Sequence, residues 1–316
     1  MLFRKKILVL VIAFASLFLT SCEREGIYKP AKKLSKIYFL YPSNELGLRV
    51  TFNWDGDRLQ SVDHNAANKK YLIYYDGNQI DSIVVTKSVF LSEYYKFRYD
   101  EHHRKLIAID RYVVDFDAEW KTRSHCEFHR SPKGLITEII LEIYRCYKLK
   151  DLKDDFFILQ LFVPEIPNSI FENISDEAVN DKGELLWDRY VTTFTYDHDN
   201  VIASESVMGD DYSKTYVQYS YTNIQNPFYH LVYYNFLGAP ILQTNRYLVK
   251  QMLITSIEHP AHIEDGYILH ESILYDYDEE DGFPTRFTKG GTYWYENVFL
   301  TDTLDITPTT YYYQYE

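Results

Sequence analysis

The chain has 316 residues, a formal net charge of −13 and 17% aromatic side chains, with 31 Tyr against 3 Met. An acidic surface repels phosphate, so the charge argues against a nucleic-acid partner. The aromatic bias favours β-strands, where flat side chains pack on a pleated surface, and the length suffices for one large β domain or two modest ones.

The N-terminal segment has the features of an export signal. Arg4, Lys5 and Lys6 precede an uncharged stretch at 7–19, which is too short for a membrane span of about 20 residues. The stretch closes on Leu-Thr-Ser-Cys, an ending that resembles a bacterial lipobox. We therefore predict that residues 1–21 are a signal peptide and that Cys22 carries the lipid that joins the protein to a membrane.

Residues 22–34 follow the predicted lipid site. They include Pro30, Lys32 and Lys33 and show little hydrophobic periodicity. We interpret them as a tether, and we place the folded domain at 35–316.

A short pattern recurs along this domain: an aromatic residue, often Asp, a polar turn and then an aliphatic residue. Trp54 leads through Asp-Gly to Leu59, and Tyr75 leads through another Asp-Gly to Ile80. Asp, Asn and Gly reverse the chain readily, and the runs between the turns alternate. Each unit is therefore predicted to be a β-hairpin, which must pair with its neighbours because two strands cannot bury their own face. Further copies begin at Tyr99, Phe128, Tyr196 and Tyr277, with a degenerate one at Tyr219.

These units resemble YD-type hairpin repeats, although they lack the Gly-Arg pair of well-formed copies. The whole layout of lipobox, short linker, tyrosine-rich hairpins and aromatic C-terminus is similar to cell-envelope lipoproteins of unassigned function in Bacteroidetes-type bacteria. The resemblance covers most of 35–316. It implies an outer-membrane lipoprotein, facing the periplasm or the cell surface, and it supplies no activity.

The fold prediction is all-β: a long antiparallel β-meander of repeated hairpins, curled toward a barrel or half-barrel, because curling removes exposed edges. Residues 164–183 interrupt the pattern with prolines and acids. A loop of this length is uncommon in a compact domain, so it is a candidate boundary between two halves. Residues 156–162 are predicted to be a buried strand, and 309–316 a final strand that closes or edges the sheet.

The densest acidic cluster is a weak candidate for calcium. Asp276, Asp278 and Glu280 match the first three ligand positions of an EF-hand-like loop. However, Gly282 falls one position late, and Phe287 stands where the bidentate Glu belongs. A solvated acidic hairpin is the simpler interpretation, and we predict no metal and no cofactor.

The cysteines and nearby histidines give a second weak metal candidate. His125 and His129 would share one face of a strand while Cys126 points to the other, which opposes a common zinc ion. Whether Cys126 and Cys146 are bonded stays open, since a turn near 132–133 would pair position 126 with 139 or 140.

Aromatic side chains could instead form a surface on which sugar rings stack. The candidates are Trp187 and Trp294, with Tyr293 and Tyr295 beside the latter. The alternative is that the tyrosines line the sheet as cross-strand pairs, and their spread along the whole chain favours it.

The sequence contains no Gly-x-Ser-x-Gly, His-Glu-x-x-His or phosphate-binding glycine loop, so we do not predict an enzyme. The leading hypothesis is non-catalytic binding of a glycan or of an envelope protein. A structural or adhesive scaffold is the alternative. Glycoside hydrolysis is the third, since a sequence cannot expose a spatial pair of carboxylates.

Overall fold

The computed structural model describes residues 29–65, 68–87, 90–101, 105–114, 120–144, 187–198, 200–208, 213–229, 246–258, 267–296 and 303–316. Within these ranges, no helix is both long enough and apolar enough to cross a membrane.

The described residues form sixteen β-strands in a single sheet. They are β1 (Leu34–Leu40), β2 (Leu46–Asp55), β3 (Arg58–His64), β4 (Lys69–Asp76), β5 (Gln79–Lys87), β6 (Phe90–Tyr99), β7 (Leu106–Val114), β8 (Trp120–Arg130), β9 (Ile136–Tyr144), β10 (Trp187–Asp197), β11 (Asn200–Met208), β12 (Ser213–Gln225), β13 (Tyr247–Glu258), β14 (Tyr267–Glu280), β15 (Phe283–Glu296) and β16 (Leu304–Tyr315).

The sheet is a closed antiparallel barrel. Each strand pairs with the next in chain order, and β16 returns to pair with β1, where Tyr312 lies opposite Tyr38. The predicted all-β meander of hairpins is therefore confirmed, and the choice between barrel and half-barrel is resolved in favour of a closed barrel.

The barrel contains strands from both sides of the predicted boundary at 164–183. Trp187 at the start of β10 lies opposite Tyr144 at the end of β9, so the two halves of the chain share one sheet. The loop itself, the predicted strand at 156–162, the signal peptide and Cys22 lie outside the described residues.

The inner face of the barrel is largely apolar. Alternate residues of each strand point inward, and Val50, Phe52, Ile83, Tyr95 and Ile109 are each at most 2% exposed within one continuous core. The predicted alternation of the hairpins thus places their apolar residues on the inner side of the wall.

The two ends of the barrel differ in their connections. Most even-numbered strands are followed by short turns, such as 55–58, 76–79 and 280–283, at what we call the tight-turn end, although β12 is separated from β13 by residues 226–246. Gly56 and Gly77 have φ of 55° and 59° at the first central position of two-residue turns, as in a type II′ hairpin. The odd-numbered strands end at the opposite end, which includes the connection at 41–45 after β1 and which we call the long-connection end because 42 residues separate β9 from β10.

At the tight-turn end, the repeated aromatic residue bonds each hairpin to the strand before it. Tyr75 of β4 donates its hydroxyl to the carbonyl of Leu59 in β3 at 2.6 Å, beyond Ser61↔Leu72, where the pairing of these strands ends. The same bond is donated by Tyr99 to Ile80 (2.7 Å), Tyr196 to Ile136 (2.6 Å), Tyr221 to Val201, Tyr277 to Val249 (2.7 Å) and Tyr315 to Pro284 (2.8 Å), and by the ring N–H of Trp54 to Leu34 (2.9 Å).

The unit in β8 uses an arginine in place of the aromatic residue. Arg130 donates from Nη2 to the carbonyl of Leu106 at 3.2 Å and from Nη1 to that of Gly134 at 2.9 Å. Phe128, the predicted leading aromatic of this unit, lies two residues earlier and is buried opposite Ile139. Each of the eight even-numbered strands therefore has a side chain that donates a hydrogen bond to a main-chain carbonyl of the preceding strand.

Candidate functional site

A cleft opens on the outer wall where β3 and β4 diverge. Their pairing runs only from His64↔Lys69 to Ser61↔Leu72, so the strands separate toward the tight-turn end. The resulting cavity has a volume of about 380 Å³ and is lined by Asp55, Arg58, Gln60, Lys70, Tyr74 and neighbouring residues. This volume lies within the range of about 300–1,000 Å³ for small-ligand sites.

Tyr74 presents the aromatic surface of the cleft. Its side chain is 50% exposed, whereas its neighbour Ile73 faces the core and is 7% exposed. An exposed tyrosine offers a flat apolar ring and a polar hydroxyl together.

Arg58 is held at the mouth of the cleft. Its Nη2 donates to the carbonyl of Gly77 at 2.9 Å and to Oδ1 of Asn78 at 2.7 Å. Its guanidinium also lies 5.3 Å from the ring centre of Tyr75, a cation–π distance. A side chain that is already fixed loses less conformational entropy when a ligand binds.

Polar side chains fix the other end of the cleft. Asn53 donates from Nδ2 to Oγ of Ser61 at 3.0 Å and to Oδ2 of Asp63 at 2.8 Å, and Nζ of Lys70 lies 3.4 Å from Oδ1 of Asp63. The cleft therefore combines one exposed ring with donors and acceptors whose positions are set by the wall.

The cleft differs from the equivalent places in the other units. The residue before each repeated donor is Asn53, Tyr74, Arg98, His129, Thr195, Ser220, Asp276 or Gln314, so Tyr74 is the one tyrosine of the set. In the next unit, Lys96 and Asp81 form an ion pair across the corresponding strands. The sequence analysis did not single out Tyr74, although comparing the units position by position would have done so.

A second group of polar side chains lies buried in the core. Glu93 receives hydrogen bonds from Nε of Arg111 at 3.0 Å, Nζ of Lys69 at 3.3 Å and the hydroxyl of Tyr95 at 2.5 Å. These four residues are between 1% and 6% exposed.

The charges of this cluster stabilise one another. Burial alone would raise the pKa of Glu93, but Arg111 and Lys69 lower it to about 2. Burial lowers the pKa of Lys69, an effect that Glu93 opposes. Burial, with smaller contributions from Lys69 and Arg49, also lowers the pKa of nearby His64 to about 4. Since its charged groups bond one another, we assign this cluster to stability rather than to ligand binding.

The predicted aromatic platform is divided between the two faces of the wall. The ring of Trp294 stacks on His270, with centroids 5.0 Å apart and planes at 17°. Tyr293 and Tyr295 belong to the opposite, inner face. Tyr293 is paired with Glu271, which lies two residues from buried Ile273 and therefore on the same side of β14. Trp187 begins β10, and its side chain lies outside the described set.

Two of the three candidate calcium ligands contact an arginine. Arg286 donates from Nε and Nη2 to the carboxylate of Asp278 at 2.6 and 3.0 Å, and its Nη2 lies 3.5 Å from Oδ2 of Asp276. The hydrogen bond from Arg286 lowers the pKa of Asp278. Glu280, the third candidate, ends β14. Over the described ranges, no three His, Cys, Asp or Glu side chains are grouped so that they could hold a metal ion.

The cysteine and histidine candidates also separate. Cys126 is a buried free thiol that lies opposite Leu141, and Cys146 lies outside the described residues. On the outer face, the ring nitrogens of His125 lie 2.5 Å from Asp110 and 3.0 Å from Glu127. Burial would lower the pKa of His125, but these two carboxylates raise it.

Comparisons with known proteins give no family. No protein-family model matches the chain, and no curated protein matches it. A solved structure of a protein of unknown function from Bacteroides fragilis NCTC 9343 aligns with 45% of this chain and 81% of its own, at 16% identity and a TM-score of 0.26. The TcdB2–TccC3–Cdc42 structure aligns with 85% of this chain and 15% of its own, at 9% identity and a TM-score of 0.19.

Proposed function

We propose that this protein is a lipid-anchored protein of the outer membrane that binds a saccharide, without cleaving it, in the cleft between β3 and β4. The observation that carries the proposal is one cleft of about 380 Å³ that is lined by both the exposed ring of Tyr74 and the fixed guanidinium of Arg58.

The chemistry of the cleft suits a sugar. The apolar face of a pyranose ring stacks on an aromatic ring, and its hydroxyls both donate and accept hydrogen bonds. Arg58 offers donors, Asp55 offers acceptors, and Gln60 offers both. A saccharide could therefore contact the ring of Tyr74 and these planar polar groups together.

The number of carboxylates in the cleft favours binding over hydrolysis. Glycosidases use two carboxyl groups, roughly 5–10 Å apart, on either side of the scissile bond. Of the described residues that line the cleft, Asp55 is the one carboxylate. We therefore propose retention of the saccharide rather than its cleavage.

The envelope location rests on the N-terminal sequence. The basic start, the short apolar stretch and the Leu-Thr-Ser-Cys ending agree on lipidation of Cys22. A lipid anchor would hold the cleft at the cell boundary, where polysaccharides are abundant.

Affinity electrophoresis of the full chain in gels that contain soluble polysaccharides, together with a glycan array, tests the binding. We expect one glycan class to retard the wild-type protein and Tyr74→Ala to weaken that binding at least tenfold. Trp294→Ala is the matched control and should bind as the wild type does. Loss of binding in Trp294→Ala but not in Tyr74→Ala would place the site elsewhere. Absence of binding to every glycan would favour a structural scaffold.

A further inference from the structure

The residues just before β1 contact the tight-turn end of the barrel on one side. Lys33 donates from Nζ to the carbonyl of Gly56 at 2.7 Å and lies 3.0 Å from Oδ1 of Asp57. Nζ of Lys29 lies 3.4 Å from the other oxygen of the same carboxylate. Both lysines therefore hold the turn between β2 and β3.

Lys32 reaches the turn on the other side of the closure. Its Nζ lies 3.1 Å from Oδ2 of Asp281, in the turn between β14 and β15, and 5.4 Å and 5.9 Å from the ring centres of Phe283 and Tyr315. We name Lys29, Lys32 and Lys33 the lysine clasp. It spans the seam where β16 meets β1.

We propose that the lysine clasp turns the tight-turn end of the barrel toward the membrane that holds Cys22, so that the long-connection end projects away from it. This orientation rests on the lipid anchor described under Proposed function. It adds which surface of the barrel faces the bilayer.

The length of the tether supports this orientation. Lys29 lies seven positions after Cys22, and these seven steps span at most about 25 Å when fully extended. The fourteen residues of β14 are roughly 46 Å long. The tether is therefore shorter than this strand, and it brings the tight-turn end, from which the chain leaves, closest to the bilayer. Without the clasp, the free tether would reach to Leu34 and span about 43 Å, which would let the barrel lie on its side.

The contacts of the clasp are exposed ion pairs, which are individually weak and are screened by salt. They act together, because three lysines on one short segment engage two turns. The hydrogen bonds from Lys33 and Lys29 lower the pKa of Asp57.

Since Asp55 and Arg58 lie at the same end, this orientation places the proposed saccharide cleft on the membrane-proximal half of the wall, open to the side.

Energy transfer from the protein to the bilayer tests the orientation. The lipidated full chain would be reconstituted in vesicles that carry an acceptor dye on their headgroups. A donor dye would be attached at Lys133→Cys in the tight turn at 131–134, or at Ser43→Cys in the connection at 41–45. Both positions are exposed, and the wild-type chain, whose Cys126 is buried, gives the background labelling.

We expect transfer from Lys133→Cys to exceed transfer from Ser43→Cys at least twofold, and the double change Lys32→Glu with Lys33→Glu to narrow that difference. Equal transfer from both positions, or greater transfer from Ser43→Cys, would overturn the orientation. Flotation of the same vesicles separates the two proposals. Protein that floats but transfers equally refutes the orientation alone, whereas protein that stays at the bottom of the gradient refutes the anchor and the orientation with it.

Discussion

Tyr75 of β4 and Leu59 of β3 are joined by a hydrogen bond of 2.6 Å from the tyrosine hydroxyl to the main-chain carbonyl. The bond crosses a gap where the two strands have already stopped pairing. Burial raises the pKa of Tyr75 to about 12, so its hydroxyl keeps the proton that it donates. Repetition of this bond around the tight-turn end connects the hairpins where main-chain bonds do not.

Tyr75→Phe should destabilise the protein by about 1–3 kcal/mol, because it leaves the carbonyl of Leu59 without its donor. Tyr74→Phe removes a hydroxyl from the adjacent, half-exposed ring and should change the free energy of unfolding by less than about 0.5 kcal/mol. Urea denaturation of both variants measures the difference. Equal losses would mean that the inter-hairpin bond contributes nothing specific.

Glu93→Gln should destabilise the protein by about 3–5 kcal/mol, because it leaves Lys69 and Arg111 as buried charges without their carboxylate. The matched control is Glu142→Gln on the outer wall, where Oε1 lies 3.8 Å from Nε of Arg189 and both side chains are well exposed. That change should cost at most about 1 kcal/mol. Chemical denaturation at neutral pH compares them, and a small loss in Glu93→Gln would show that the cluster tolerates uncompensated charge.

His64 should make the protein sensitive to mild acid. Its pKa is about 4 when folded and 6.5 when unperturbed, so between these values the unfolded chain binds a proton that the folded chain does not. Stability therefore falls as the pH is lowered from 6.5 to 4, by roughly 3 kcal/mol from this residue. Glu93 has a pKa of about 2 when folded, against 4.5 when unperturbed, so its contribution to stability is lost as the pH falls further, from 4.5 to 2.

The variant His64→Gln should flatten the stability curve between pH 6.5 and 4, whereas His198→Gln, at a side chain that is 91% exposed, should leave it unchanged. Thermal or urea unfolding across this pH range provides the measurement. An unchanged slope in His64→Gln would assign the acid sensitivity to other groups.

Gly291→Ala should destabilise the barrel by roughly 3 kcal/mol or more, through overpacking and backbone strain. A Cβ at this position would lie 2.0 Å from the carbonyl oxygen of Ser272, and φ is +153°. At the neighbouring Gly290, a Cβ would lie 3.8 Å from Pro308, so Gly290→Ala should stay within about 1 kcal/mol of the wild type. The melting temperatures of the two variants test this prediction. Similar values would contradict the close approach between Gly291 and the carbonyl oxygen of Ser272.

The sequence predicts the hairpins well because their signals are local. Asp-Gly turns and alternating strands identify Trp54, Leu59, Tyr75 and Ile80 as the key positions of two units. The bond between units is not visible in the sequence, because its acceptor is a main-chain carbonyl that any residue could supply. For the same reason, Arg130 could replace tyrosine in one unit without leaving a recognisable motif.

The early end of pairing at Ser61↔Leu72 and the shift of register at Tyr74/Tyr75 recur in the next unit, at Ser82↔Lys96 and Arg98/Tyr99. The cleft therefore depends on which side chains line the gap between β3 and β4, and the sequence alone does not show which side chains meet there. By contrast, strand alternation alone places Trp294 on the opposite face from Tyr293 and Tyr295. The sequence analysis grouped the three residues without taking this alternation into account.

The pairing of β1 with β16 has a consequence for how the molecule is made. The partner of the first strand is more than 260 residues away along the chain. This pairing is therefore expected to form late in folding, because closing so long a loop costs conformational entropy. Until then, β1 exposes an unsatisfied edge. Loss of Leu304–Tyr315 would make that condition permanent and would uncover β15 as well, which invites strand exchange between molecules and aggregation.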